Sequence, residues 1–321
     1  MGTLLVITGP TGVGKTELTL RVAEAYGCPI VSADSRQIYR EIPIGTAAPT
    51  ATELERVKHY FVGTKSVRED YNAGMYERDA LEVLEKLAGA VSDRDVKTRV
   101  PKEVFAILTG GSMLYIDAVC KGFDDIPAVR ADVREKVRQD YAEKGLEWLQ
   151  NEVERLDKAY WETVDRQNPQ RLMHCLEVTL SAGEPYSHFR REAQTKRSFG
   201  IVKVGLERPR EELYERINRR VDAMMEAGLE EEARTVYPLR ELNSLQTVGY
   251  RELFDYFDGK TTREEAIRLI KQNSRHYAKR QMTWFRADKT IHWLDANMTY
   301  EEQMAHISTW LRDAVMQQEQ R

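Results

Sequence analysis

The strongest constraint on the fold lies near the N-terminus. Thr3–Thr8 is a nearly all-apolar run, the pattern of a strand buried on both faces of a parallel sheet. It leads into Gly9-Pro10-Thr11-Gly12-Val13-Gly14-Lys15-Thr16, which satisfies G-x-x-x-x-G-K-T/S, and then into a helical stretch with Leu18, Val22 and Ala25 on one face. Strand, glycine-rich turn and helix in this order make a cradle for phosphate. Backbone N–H groups converge at a helix N-terminus, the lysine reaches phosphate oxygens, and the Thr16 hydroxyl is placed to ligate Mg²⁺.

Further along, residues 29–33 read as a second strand ending at Asp34, residues 73–90 as a helix, and residues 104–109 as a third buried strand running into Gly110-Gly111. The alternation predicts an α/β fold, a doubly wound parallel sheet of the P-loop NTPase-like kind. Residues 121–199 change character. They are rich in Glu, Arg, Gln and Leu at helical spacing and contain no convincing strand, so they predict a helical insertion domain. Residues 200–206 return the chain to the sheet, leaving residues 1–120 and 200–321 as the core. Gly228 is expected to cap the helix that starts at Arg210, and residues 290–294 to form a last short strand.

Composition fits a folded protein: 321 residues, 41% hydrophobic and 31% charged. No apolar run approaches the ~18 residues of a membrane span. The N-terminal apolar run is too short for a signal peptide and has no basic residues before it. Cys28, Cys120 and Cys175 are too dispersed for a disulfide framework or a zinc site. The expectation is a cytoplasmic protein with reduced thiols and no membrane partner.

Which phosphates the loop holds is not given by the loop itself. A nucleoside triphosphatase would carry a Walker-B aspartate after an apolar strand, whereas the strand ending at Thr109 runs into Gly110-Gly111-Ser112. The acidic strand end is Asp34, which should face the same crevice as Lys15 at the carboxyl edge of the sheet; as an alternative it is a turn residue or helix cap. In the helix after Pro209, Leu213, Ile217, Val221 and Met224 share one face, and Arg220 lies in the middle of it. An arginine there pairs either with an internal carboxylate or with a bound phosphate.

Net charge is about −4, from 48 basic and 52 acidic residues, which argues against binding nucleic acid by bulk charge. The distribution says otherwise. Residues 266–287 hold six Lys/Arg and no acid, and Arg268, Lys271, Arg275, Lys279 and Arg286 form one stripe ending near Trp284 and Phe285. The stripe suits a polyphosphate backbone; the other reading is a solvated face.

Together these residues resemble the tRNA dimethylallyltransferases, the isopentenyltransferase family that prenylates adenosine beside the anticodon. Besides the phosphate loop, Asp34-Ser35-Arg36-Gln37-Ile38-Tyr39 is similar to the family's D-S-x-Q-x-Y and Gly110-Gly111-Ser112-Met113-Leu114-Tyr115 to its G-G-T-x-L-Y. Asn168-Pro169-Gln170-Arg171-Leu172, Val248-Gly249-Tyr250-Arg251 and Ala278-Lys279-Arg280-Gln281-Met282-Thr283-Trp284 complete the set. Position 112 is Ser where the family commonly has Thr, and no cysteine after Cys175 matches the zinc finger of some eukaryotic relatives.

The resemblance implies that the loop holds the diphosphate of dimethylallyl diphosphate, and that the N6 amine of adenosine 37 in tRNA attacks its allylic carbon. It implies Asp34 as the base, Lys15, Arg220 and Mg²⁺ on Thr16 at the leaving diphosphate, and Ser112 at the reacting centre. It places Ser35, Arg36 and Gln37 at the target or flanking bases. Arg134, Gln170, Arg171, Leu172, Met173 and His174 would touch tRNA, as would Gln246, Thr247, Val248, Gly249, Tyr250 and Arg251, and with them Arg275, Lys279 and Arg280 on the basic stripe. A monomer is expected. Three other readings remain: a P-loop kinase, an adenylate isopentenyltransferase acting on a free nucleotide, and a non-enzymatic RNA-binding protein. The helical insertion and basic helix favour a macromolecular acceptor over free AMP, and Asp34, Ser112 and Arg220 would be needless in a passive binder.

Overall fold

The computed structural model describes residues 2–92, 104–122, 124, 126–190 and 196–319. In chain order the elements are β1 (Thr3–Thr8), α1 (Lys15–Tyr26), β2 (Ile30–Ser32), α2 (Ala51–Arg56), β3 (His59–Tyr60), α3 (Ala73–Ser92), β4 (Val104–Gly110) and α4 (Met113–Lys121). Then come α5 (Ala131–Leu156), α6 (Lys158–Trp161), α7 (Pro169–Ala182) and α8 (Tyr186–Phe189). After them follow β5 (Gly200–Glu207), α9 (Arg210–Glu226), α10 (Leu229–Val236), α11 (Tyr250–Phe257), α12 (Arg263–Ala287), β6 (Ile291–Asp295) and α13 (Tyr300–Glu319).

The six strands form one parallel sheet in the order β3-β2-β4-β1-β5-β6. The all-apolar β1 sits in its interior because successive side chains must be buried on opposite faces. Leu5 and Ile7 pack with α1, α9 and α13 on one face, while Leu4 and Val6 pack with α3 and α4 on the other. All four are fully buried, each worth about 1.5–3 kcal/mol of transfer free energy. Helices on both faces make the sheet doubly wound, as the sequence predicts. β3 went unforeseen, because two residues at a sheet edge leave no periodic signal.

The chain forms two compact units, residues 1–120 with 197–321, and residues 121–196. Arg197 belongs to the first. Its guanidinium donates to the carbonyls of Ala118 (2.6 Å) and Val119 (2.8 Å) at the end of α4 and to Glu77 (2.7 Å). The second unit is helical throughout its described elements. Val137, Leu149, Val153, Leu172 and Leu176 form its core. Asp157, almost fully buried, ties it together by accepting from the Tyr160 N–H and from both the N–H and hydroxyl of Ser187. At the end of α9 the cap residue is Ala227, and Gly228 follows it in the left-handed region at φ +99°, so the glycine ends α9 as expected and also opens α10.

Three chain ends meet at the carboxyl edge of the sheet: the turn after β1, Asp34 after β2 and Gly110-Gly111 at the end of β4. Their spacing depends on Gly110, where a Cβ would lie 2.1 Å from the carbonyl oxygen of Ala33. Backbone on both sides leaves no rotamer to relieve that contact. Gly110→Ala should therefore cost about 3 kcal/mol in urea unfolding, the upper end for overpacking, with m unchanged; a loss below about 1 kcal/mol would show that the two strand ends can separate.

Candidate active site

The phosphate loop runs from β1 to α1 over the side chains of α9. Gly12, at φ +80°, leaves no space for a side chain: a Cβ would meet Ile217 at 2.8 Å. Lys15 folds back onto the loop, its Nζ donating to the carbonyls of Gly9 and Pro10, both at 2.9 Å. Val13 is buried in the core below. Arg216 donates to the Gly12 carbonyl at 2.9 Å, and Arg220 to the Thr11 hydroxyl at 3.3 Å.

The two alternatives for Arg220 now separate. Among the described residues it makes no ion pair, and its guanidinium lines the same cavity as Lys15 and Asp34, of about 890 Å³. Burial depresses the Arg220 pKa, Asp34 opposes that, and Arg216 adds to it. Lys15 is lowered to about 7, first by desolvation and then by Arg220, with Asp34 pulling the other way. Lys15 and Arg220 therefore face one cavity, neither in an ion pair among the described residues, and a polyanion bound there would favour the charged form of both.

Asp34 is fixed by its own turn. Oδ1 accepts from the N–H groups of Arg36 (2.9 Å) and Gln37 (3.2 Å), while Oδ2 has no hydrogen-bond partner among the described residues. Both readings of this residue thus hold at once: one oxygen makes the turn, and the other remains open for a proton. Arg36 reaches the carbonyls of Asn243 and Ser244. Gln37 donates its amide to the carbonyls of Thr46 and Ala47, pinning the cavity-lining loop that contains them. Both side chains line the cavity; the Gln37 amide is committed to backbone carbonyls, whereas Arg36 uses only Nη1 for its two bonds.

Ser112 is buried, and its hydroxyl accepts from the Ser35 N–H (2.8 Å) and donates to the Ser35 hydroxyl (3.0 Å). It braces the Asp34-Ser35 turn and also bonds Tyr277, which lines the cavity. Tyr250 requires a correction. Its ring is fully buried, and its hydroxyl bonds Glu232 at 2.5 Å. Glu232 in turn accepts from the N–H groups of Ile44 and Gly45, both at 2.8 Å. Tyr250 therefore anchors the loop around Gly45 and is out of reach of a nucleic acid. Leu172 and Met173 are likewise core residues of the helical unit.

The other expected contacts are placed as follows. Thr16, Gln246, Thr247, Val248, Gly249, Arg251 and Arg280 line the cavity. In the helical unit, Asn168 caps α7 with its side chain and Pro169 takes the first helical position, so part of that motif is a helix start. Gln170, Arg171 and His174 are exposed on α7, and Arg134 pairs with Glu177 at 3.7 Å. On α12 the basic stripe is partly spent: Arg268 pairs with Glu265, Lys271 with Asp222 and Arg286 with Glu207. Arg275 bonds the Asn218 side chain, and the neighbouring Lys279 and Arg280 are exposed and make no ion pair among the described residues.

Tyr277 and Gln281 are among the cavity residues with no role assigned from the sequence. Tyr277 lies beside Ser112 and Asp34, and burial first, then Asp34, pushes its phenol up to about 12. Gln281, one turn further along α12, reaches the phosphate loop. The matching motif around Trp284 contains Gln281, but motif matching does not say which face of the helix meets the site. Among the described residues no three His, Cys, Asp or Glu side chains form a metal cluster. The Thr16 hydroxyl, exposed at the start of α1, is a single hard oxygen donor. It suits Mg²⁺ held mainly by water and a bound diphosphate.

A model of the IPP transferase family matches residues 37–288. The protein named tRNA dimethylallyltransferase 2 from Porphyromonas gingivalis is 56% identical over 291 residues, 91% of this chain and 93% of its own length. The crystal structure of the full-length tRNA isopentenylpyrophosphate transferase from Bacillus halodurans aligns with a TM-score of 0.70 at 31% identity, covering 99% of this chain and 100% of that one. The chain belongs to the IPP transferase family. The fold extends further, to a eukaryotic dimethylallyltransferase acting on tRNA, with a TM-score of 0.78 at 22% identity over 95% of this chain and 78% of that one.

The depressed Lys15 makes anion binding pH-linked. A bound diphosphate favours the ammonium form, so binding inorganic pyrophosphate above pH 7 should take up protons at this lysine, and affinity should fall as pH rises from there. Calorimetric titration at about pH 8 in buffers of different ionisation enthalpy should show greater uptake for the wild type than for Lys15→Arg. Equal uptake would mean that Lys15 is already charged before the anion arrives.

Proposed function

We propose that this IPP transferase transfers the dimethylallyl group of dimethylallyl diphosphate to N6 of adenosine 37, beside the anticodon of tRNA, and releases pyrophosphate. The observation that carries the reading is one cavity that holds Lys15 and Arg220, neither in an ion pair among the described residues, together with Asp34 and its open oxygen. The amine attacks the allylic carbon, the carbon–oxygen bond to the diphosphate breaks, and the amine proton passes to Asp34 Oδ2. Lys15 and Arg220 compensate the charge that grows on the departing diphosphate. Mg²⁺ on Thr16 Oγ1 would supply further charge neutralisation when bound. No ATP phosphoryl transfer is needed, which accounts for the missing Walker-B aspartate.

The acceptor base has to leave its stack to reach Asp34, so the fitting RNA is a single-stranded loop whose adenine is flipped out. Arg280, Lys279 and Arg251 carry positive charge at or beside the cavity, and Gln170, Arg171 and His174 offer exposed polar groups on the helical unit. Among the described residues no helix is long and apolar enough to cross a membrane. We read the protein as acting on tRNA in the cytoplasm, as a monomer.

Incubation of the protein with Mg²⁺ and labelled dimethylallyl diphosphate, with unmodified tRNA in one tube and AMP in another, tests the assignment. Label in tRNA alone is expected. Label in AMP alone would move the acceptor to a free nucleotide, and turnover only with ATP would make the protein a kinase. Asp34→Asn, which keeps the turn-making oxygen, should lower turnover by about 10²–10⁴-fold while tRNA still binds; an unchanged rate would remove Asp34 from the proton transfer.

A further inference from the structure

The side chain of Gln281 is 1% exposed, yet its amide lies at the cavity wall and bridges two turns remote in sequence. Oε1 accepts the Thr11 N–H at 2.9 Å, 270 positions away, and Nε2 donates to the Gly111 carbonyl at 2.8 Å, 170 positions away. The orientation of the amide is fixed by its partners, since a backbone N–H only donates and a carbonyl only accepts. Gly111 is shaped to the contact: a Cβ there would lie 2.4 Å from Nε2. Its φ is not in the left-handed region, so a methyl group there would meet the amide and displace it without straining the backbone.

Each turn leads to one side of the reaction. Thr11 carries the hydroxyl that receives Arg220, and it sits in the loop on which Lys15 folds. Gly111 precedes Ser112, whose hydroxyl holds both the N–H and the hydroxyl of Ser35, next to Asp34. The amide therefore bonds the cationic cradle directly and, through Gly111 and Ser112, the turn that carries the carboxylate. We infer that Gln281 is a positioning residue that sets the distance between the leaving diphosphate and the base Asp34. The inference rests on the proposed prenyl transfer. It concerns alignment: each half-site keeps its own ligand groups without the amide, but their separation is no longer fixed.

The test compares wild type with Gln281→Met, which keeps length and volume but has no amide, and Gly111→Ala, which displaces the amide from the opposite side. Prenyl transfer to tRNA gives kcat and both KM values; pyrophosphate Kd and Tm are measured on the same preparations. Both variants should lose about 10²-fold in kcat, the scale of an ångström-sized misplacement. Pyrophosphate Kd and the KM for tRNA should stay within about threefold, because binding that is uniform in ground and transition states is retained. A folded Gln281→Met variant with wild-type kcat, or a pyrophosphate Kd that weakens in step with kcat, would overturn the inference. If Gln281→Met does not fold, Gly111→Ala decides by the same criteria, and failure of both to fold would assign the amide to stability alone and overturn it. A wild type that transfers no prenyl group to tRNA overturns the proposed function instead.

Discussion

Lys15 and Arg220 share one cavity at the carboxyl edge of the sheet, and Arg220 lowers the stability of the charge on Lys15. Like charges in a partly desolvated site repel, and the usual remedy is a carboxylate within ion-pair distance. Here Asp34 acts on both side chains but forms an ion pair with neither, and one of its oxygens is already held by two backbone N–H groups. The rest of the site follows from keeping this arrangement open. A carboxylate closer to Lys15 would neutralise the cradle, and one further away could not receive a proton from a nucleophile lined up with the bound donor.

What keeps the site open is a set of side chains that bond backbone in distant segments. Gln37 holds the carbonyls of Thr46 and Ala47, Arg36 those of Asn243 and Ser244, and Glu232 the N–H groups of Ile44 and Gly45 with the help of Tyr250. The apolar layers beneath fix where the strands end, but they have no directional preference within the crevice. Direction comes from these hydrogen bonds. Each joins groups with obligatory donor or acceptor character, so a displaced partner leaves a backbone group unsatisfied.

Much of this was legible in the sequence. The β1 run, the glycine-rich turn and α1 follow from apolar patterning and motif spacing, and Arg220 announced itself as a charge on an apolar helical face. What stayed hidden depends on contacts between distant segments. The motifs containing Ser112 and Tyr250 mark these residues as important without saying which way they face, and both turn inward to hold backbone and loops. Leu172 and Met173 follow the same rule inside the helical unit. The periodicity of α12 places its cations on one stripe, but the carboxylates that claim three of them come from Glu265, Asp222 and Glu207, only one of which is on that helix. β3 is too short to carry a pattern at all.

The central claim is that the phosphate loop serves alkyl transfer, with the carbon–oxygen bond of the donor broken and the diphosphate leaving intact. The most direct measurement places ¹⁸O at the bridging position between the allylic carbon and the α-phosphorus of dimethylallyl diphosphate and follows it through one turnover with tRNA. The account predicts that all of the label leaves in pyrophosphate and none stays with the prenyl group. Label retained on the prenyl carbon, or appearing with phosphate attached to an acceptor, would show that a phosphorus–oxygen bond is broken and would contradict it.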